Sequence, residues 1–206
     1  MAFNFGHNSY LRHAFDTKFA YHVINDSLQA LYENHVWYKE DIDQENSIIL
    51  KAIDLDDASA RDSLIRQMFT IRDERRRLAI QRFNRSVDFY EKCFETMEGT
   101  ARYVEAAVIR NFNHMKIPDK LARLDDNYKP PDRSVHIKAK PEPDYLYKTE
   151  VSQSYTYAMG YNVARLLDKL RIEYKSRLFK TPDLTLEDIL RNALNKYKEP
   201  DRNPAP

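Results

Sequence analysis

Three glycines in 206 residues constrain this chain more than any other feature of its sequence. Average usage is about 7%. Loops that cradle phosphates need several glycines at fixed offsets, because only a residue without Cβ lets the backbone close on the anion. P-loop and dinucleotide-binding functions are therefore excluded, and a turn-rich β-sandwich is disfavoured. A glycine-poor chain rich in Ala, Leu, Arg, Lys and Glu is built for long helices joined by few tight turns. The expected fold is all-α or mostly α, a bundle of about five to six helices with one long connection containing proline and tyrosine.

Charge and cysteine content narrow the function classes. There are 33 basic and 32 acidic residues, a formal net charge of +1, so no global field steers the chain toward nucleic acid or an anionic membrane. With 14 tyrosines and 10 phenylalanines it is too aromatic to be disordered. Its length allows roughly 70% of the unfolded surface to be buried. The lone Cys93 rules out an internal disulfide and a thiolate zinc site. The N-terminus lacks a basic and an apolar signal region, and no run of 18 apolar residues occurs, so the chain is expected to be soluble and unexported.

Apolar periodicity divides the chain into helices. Phe19, Val23, Leu28, Leu31 and Val36 predict one helix over 16–37, and a second is expected over 45–53. Asp54, Asp56 and Asp57 can cap the next, over 58–81, whose face would carry Leu64, Met68, Ile71, Arg75 and Leu78. The strongest pattern is Val87, Tyr90, Phe94, Met97, Ala101, Val104 and Val108, a stripe with spacings 3, 4, 3, 4, 3, 4 that predicts a helix over 84–111 packed lengthwise on another, with Pro118 ending the region. A fifth helix is expected over 152–179 on Val163, Leu166, Leu167, Leu170 and Tyr174, stopped by Thr181-Pro182. Thr185 to Asp188 has capping-box spacing and opens a last helix to about Tyr197.

Between residues 124 and 150, Pro130, Pro131, Pro141 and Pro143 interrupt any helical period, and 134–139 alternates as a short strand would. Tyr128, Tyr145 and Tyr147 argue that parts of this connection pack. The chain reads as a single helical domain over 1–197 with a disordered tail over 198–206.

Two of the three glycines lie inside predicted helices, where each costs about 1 kcal/mol relative to alanine. Gly99 follows Glu98 in Glu98-Gly99-Thr100-Ala101-Arg102-Tyr103-Val104-Glu105, and Gly160 ends Tyr157-Ala158-Met159-Gly160. Close helix crossing is one reason for them. Glu98 would emerge about 70° from the centre of the apolar stripe, at the edge of the buried face. Glu91, Glu95 and Glu105 read as a solvated charged flank.

The Glu98–Glu105 segment resembles the second conserved segment of gluzincin zinc metallopeptidases, the aminopeptidase-like group in which an HExxH helix supplies two histidines and a later helix a glutamate in a Glu-Gly-x-Ala context. The resemblance implies Glu98 as the third zinc ligand, with Gly99 and Ala101 as its motif. Tyr157-Ala158-Met159-Gly160, followed by Leu166-Leu167-Asp168, is similar to the family's Tyr-x-x-Gly segment, whose tyrosine hydrogen-bonds the oxyanion of the tetrahedral intermediate. Tyr157 matches that position, supported by Gly160.

HExxH itself is absent. His7, His13, His22, His35, His114 and His136 include no pair at i, i+4 with an intervening glutamate. The chain therefore resembles the part of a zinc-dependent peptidase that follows the HExxH helix. Taken alone it is expected to hold no zinc tightly and to hydrolyse no peptide bond, its implied partners being an upstream HExxH segment and, in a complete protein, zinc and a peptide substrate. The alternative is a helical interaction or scaffold module without catalysis, in which both glycines are packing contacts. Nucleic-acid binding is a third class, suggested by Arg72, Arg75, Arg76, Arg77, Arg82 and Arg85 near Phe83 and Phe89, but acidic neighbours and i, i+4 pairs such as Asp73–Arg77 argue against it.

Overall fold

The computed structural model of the protein describes residues 21–111, 124, 143–181 and 183–196. All regular structure among the described residues is helical, as the composition requires. The helices are α1 (Tyr21–Asn34), α2 (Val36–Asp54), α3 (Ala58–Phe83), α4 (Asp88–Asn111), α5 (Tyr155–Lys169), α6 (Lys175–Lys180) and α7 (Leu186–Lys196). Two 3-10 turns, Asp144–Leu146 and Thr149–Val151, precede α5. No described helix is long and apolar enough to cross a membrane.

The central pair is α4 and α5, as the apolar stripe predicts for α4; α2 packs on α3 and α5, and α7 closes over α4 and α5. One continuous core joins Leu28, Ile42, Ile49, Met68, Phe94, Met159, Leu166 and Leu190. The stripe itself is deepest at Val87, Phe94 and Met97 and runs out at Val108, which is exposed.

The predicted boundaries shift in three places, each for a physical reason. The first helix breaks at His35, which is extended, and α2 starts at Val36 rather than Glu45. Within residues 36–44 only Tyr38 and Ile42 are buried, set among Lys39, Glu40, Asp41 and Asp43, so that half shows too few apolar positions for a period to be read. Asn84 is not the start of α4 but the left-handed C-cap of α3 (φ 51°), donating its N–H to the Ile80 carbonyl. The helix expected over 152–179 is two helices. Arg171 adopts φ 55° after α5, and the Ile172 N–H bonds the Leu167 carbonyl. This C-terminal arrangement usually takes glycine, so its residue type carries no stop signal.

Both capping predictions hold. The Asp57 carboxylate accepts from the Ala60 N–H at 2.6 Å. At α7 the Thr185 Oγ1 accepts from the Asp188 N–H at 3.2 Å, and the Asp188 carboxylate accepts from the Thr185 N–H at 3.2 Å, a reciprocal box. The 143–151 end of the long connection is packed. Leu146 is fully buried, and the Tyr147 carbonyl accepts from Asn46 and Asn162 at 3.0 and 2.8 Å. Tyr128, Pro118, the 134–139 strand and the 198–206 tail lie outside the described residues.

Candidate functional site

The site is set by how closely two helices cross. A Cβ built on Gly160 would stand 1.8 Å from the Glu95 carbonyl oxygen, and one on Gly99 would stand 2.2 Å from the Gly160 carbonyl carbon. Both partners are backbone atoms, so α4 and α5 meet this closely only because both positions lack side chains. The costly glycines are thus explained by packing, and that packing decides which neighbouring side chains meet.

Those neighbours are Glu98 and Tyr157, the two residues singled out by the sequence. The Tyr157 hydroxyl donates a hydrogen bond to the Glu98 carboxylate. Glu98 is buried, with 8% of its surface exposed. Burial pushes its carboxyl above the ordinary glutamate value, against the opposing pull of the Tyr157 hydrogen bond and the Arg102 charge. Burial, followed by the negative charge of Glu98, raises the Tyr157 phenol well above its ordinary value. The phenol therefore remains a donor throughout the neutral range. Ala101 lies half-buried on the same turn of α4.

Arg102, one turn after Glu98, builds the rim. Its guanidinium lies 4.8 Å from the Tyr157 ring centre and 5.1 Å from that of Tyr145, donates to the Tyr145 carbonyl, and pairs with Glu105 at 3.3 Å. The Tyr145 hydroxyl also donates to Glu105 at 2.9 Å. Chemically this is a protected carboxylate with one phenol donor and one cation beside it, an arrangement that can hold a proton or a polar group.

A second cluster was concealed in the sequence. Arg72, Arg75 and Arg76 of α3 point inward and meet Glu45 of α2, Glu91 and Glu95 of α4 and Glu187 of α7, all seven buried. Arg72 bonds Glu45 at 2.7 Å, Glu187 at 2.8 Å and Glu95 at 3.0 Å. Arg75 bonds Glu45 at 2.7 Å and Glu91 at 2.6 Å. Arg76 bonds Glu91 at 2.7 Å and Glu187 at 2.9 Å. Tyr38 and Tyr155 add hydroxyl donors to Glu91 at 2.5 and 2.9 Å.

The reading of Glu91 and Glu95 as solvated is therefore corrected; Glu105 alone of the three is exposed. A charge surrounded by complementary charged donors can be buried where an unpaired one cannot. The available signal was spacing: Arg72, Arg75 and Arg76 share one helical face, as do Glu91 and Glu95 four residues apart. The same burial removes three of the six arginines that suggested nucleic-acid binding. Arg77 pairs with Glu74 at 2.6 Å and not with Asp73, which pairs with Arg191.

Zinc does not fit the described residues by themselves. Glu98 is a single carboxylate flanked by a phenol and a guanidinium, and no group of three His, Cys, Asp or Glu side chains able to hold a metal occurs among the described residues. His35 packs against Phe83 in a tilted arrangement with ring centres 4.6 Å apart, while His7, His13, His114, His136 and the side chain of His22 lie outside the described residues. No family model, curated protein or solved structure matches the chain.

Proposed function

We propose that the chain is the helical portion of a gluzincin-type zinc peptidase that follows the HExxH helix, with Glu98 and Tyr157 as its retained half-site. One observation carries this reading: two residues from separate helices, each flagged by a nearby helical glycine, meet through a hydrogen bond. In a complete site Glu98 would be the carboxylate ligand and Tyr157 the phenol donor to developing negative charge, a contribution of several kcal/mol in oxyanion stabilisation generally. The chain alone is inactive on this reading, because one carboxylate does not replace two imidazoles and a general base.

The test is expression together with whatever sequence is encoded directly upstream, followed by assay on a fluorogenic peptide mixture. Chelator-sensitive hydrolysis, abolished by Glu98→Gln and reduced by Tyr157→Phe, supports the reading. An upstream sequence without HExxH, or hydrolysis indifferent to both substitutions, refutes it.

The second reading is a helical interaction module without catalysis. It is favoured by the backbone contacts at Gly99 and Gly160, which account for both glycines by packing alone. On that reading Glu98→Gln and Tyr157→Phe leave every binding activity of the protein intact.

A further inference from the structure

The buried ionic cluster is unevenly satisfied. Three buried guanidiniums face four buried carboxylates, Arg191 and Lys92 reach Glu187 from the rim, and the carboxylate left short of donors is Glu95. Glu91 accepts from Arg75, Arg76, Tyr38 and Tyr155, and Glu187 from Arg72, Arg76 and Arg191. Glu45 accepts from Arg72 and Arg75. Glu95 has a single bond, from Arg72 Nη1 to its Oε2, and that same nitrogen also serves Glu187. Glu95 Oε1 and Arg72 Nη2 are buried without a hydrogen-bond partner. Burial with a single shared hydrogen bond favours the protonated form of this carboxyl.

We propose that Glu95 is a proton-operated latch that sets how firmly α7 is held against α3 and α4. With the proton in place, Arg72 Nη1 serves Glu187, and α7 is tied to α3 through two guanidiniums. When the proton leaves to solvent, the Glu95 carboxylate draws Arg72 to itself through Nη1 and the spare Nη2. Glu187 then keeps Arg76 and Arg191 but loses Arg72.

The charged groups facing Glu95 are Arg72 and Arg76 from α3, Glu187 from α7 and Glu91 one turn earlier on α4; α2 reaches it through Glu45 on Arg72, and α5 presents the Gly160 backbone. Burial, the largest influence, and the two carboxylates outweigh the arginines and push the Glu95 carboxyl up to about 7. A folded value above the unfolded one means the stabilisation is complete below about 4.5 and is lost as pH rises through about 7. The carboxyls of Glu91 and Glu187 are shifted the other way, so they do not titrate within this window.

The experiment is hydrogen exchange of residues 186–196 in the full chain at pH 5, 6 and 7, corrected for intrinsic rates, in the natural protein and in Glu95→Gln. Opening of α7 should rise on the order of ten-fold or more from pH 5 to 7 in the natural protein and stay within about two-fold in Glu95→Gln, which cannot lose the proton. Equal pH dependence in the two proteins, or none in the natural one, overturns the latch. If Glu95→Gln does not fold, carbon-13 titration of glutamate carboxyls in the natural protein decides. A Glu95 midpoint near 7 shared by a shift at Glu187 supports the proposal, whereas a midpoint near the ordinary value of about 4.3, or no response at Glu187, overturns it.

Discussion

Replacing Gly160 by alanine should be among the most damaging single-methyl additions in the protein. The added Cβ would sit 1.8 Å from the Glu95 carbonyl oxygen, 2.6 Å from its carbonyl carbon and 2.9 Å from its Cα. Ordinary contact begins at 3.4 Å, so α5 must withdraw from α4 by about 1.6 Å locally, and no flexible side chain can absorb the shift. Overpacking of a tight core costs about 1–3 kcal/mol and more where backbone is displaced, while alanine returns about 1 kcal/mol of helix propensity. The clash wins, with an expected net loss of about 2–4 kcal/mol and a melting temperature lower by roughly 5–15 °C for a domain of this size. Gly99→Ala relieves nothing, because its Cβ meets the Gly160 carbonyl carbon at 2.2 Å. The pair should be strongly non-additive, since either substitution separates the same two backbones. Differential scanning calorimetry of the two single variants and the double variant is the assay. A Gly160→Ala protein that melts at or above the natural temperature would refute the assignment of this crossing.

Arg75→Met should cost about 3–5 kcal/mol by urea denaturation, because it strips a fully buried cation from Glu45 and Glu91 and leaves their charges under-compensated; a loss below about 1 kcal/mol would mean that the cluster does not form as described. Acid should unfold the protein cooperatively. Burial alone would raise Glu91 and Glu187, but the guanidiniums of Arg75 and Arg76 at the first, and Arg72 and Arg76 at the second, outweigh it and hold both carboxyls well below the ordinary range. Their stabilisation is present above about 4.5 and is lost as pH falls below it, so a helical signal that melts at the same temperature at pH 5 and pH 2.5 would contradict the pairing. Cys93 should resist Ellman's reagent at pH 8. Burial, followed by the charges of Asp188 and Asp88, pushes its thiol up to about 11, so its reaction should be roughly a hundred-fold slower in the folded protein than in denaturant, and equal rates would place the thiol at the surface.

The fold class was legible because it depends on properties that add along the chain. A shortage of glycine, a long run at helical spacing and two capping carboxylates each act within a turn or two, and the all-α bundle, the Val87–Val104 stripe and the caps at Asp57 and Thr185 follow from them. The meeting of Glu98 with Tyr157 was expected only from the family resemblance, and the physical reason for it, a backbone crossing at Gly99 and Gly160 that brings their neighbours together, came from the structure. The stop at Arg171 was not legible, because the residue in the left-handed position is not one that favours it.

What the sequence by itself determined, then, is that the chain forms helices and where most of their apolar faces lie. Only the tertiary structure decided that α3 is buried through arginines, that Glu91 and Glu95 belong to the interior, and that Glu95 is the carboxylate left short. The reason is that hydrophobicity is a property of one residue, whereas burying a charge is a property of a set. Arg72, Arg75 and Arg76 can leave water only because Glu45, Glu91 and Glu187, distributed over three other helices, arrive at the same place, and no local pattern records that arrangement.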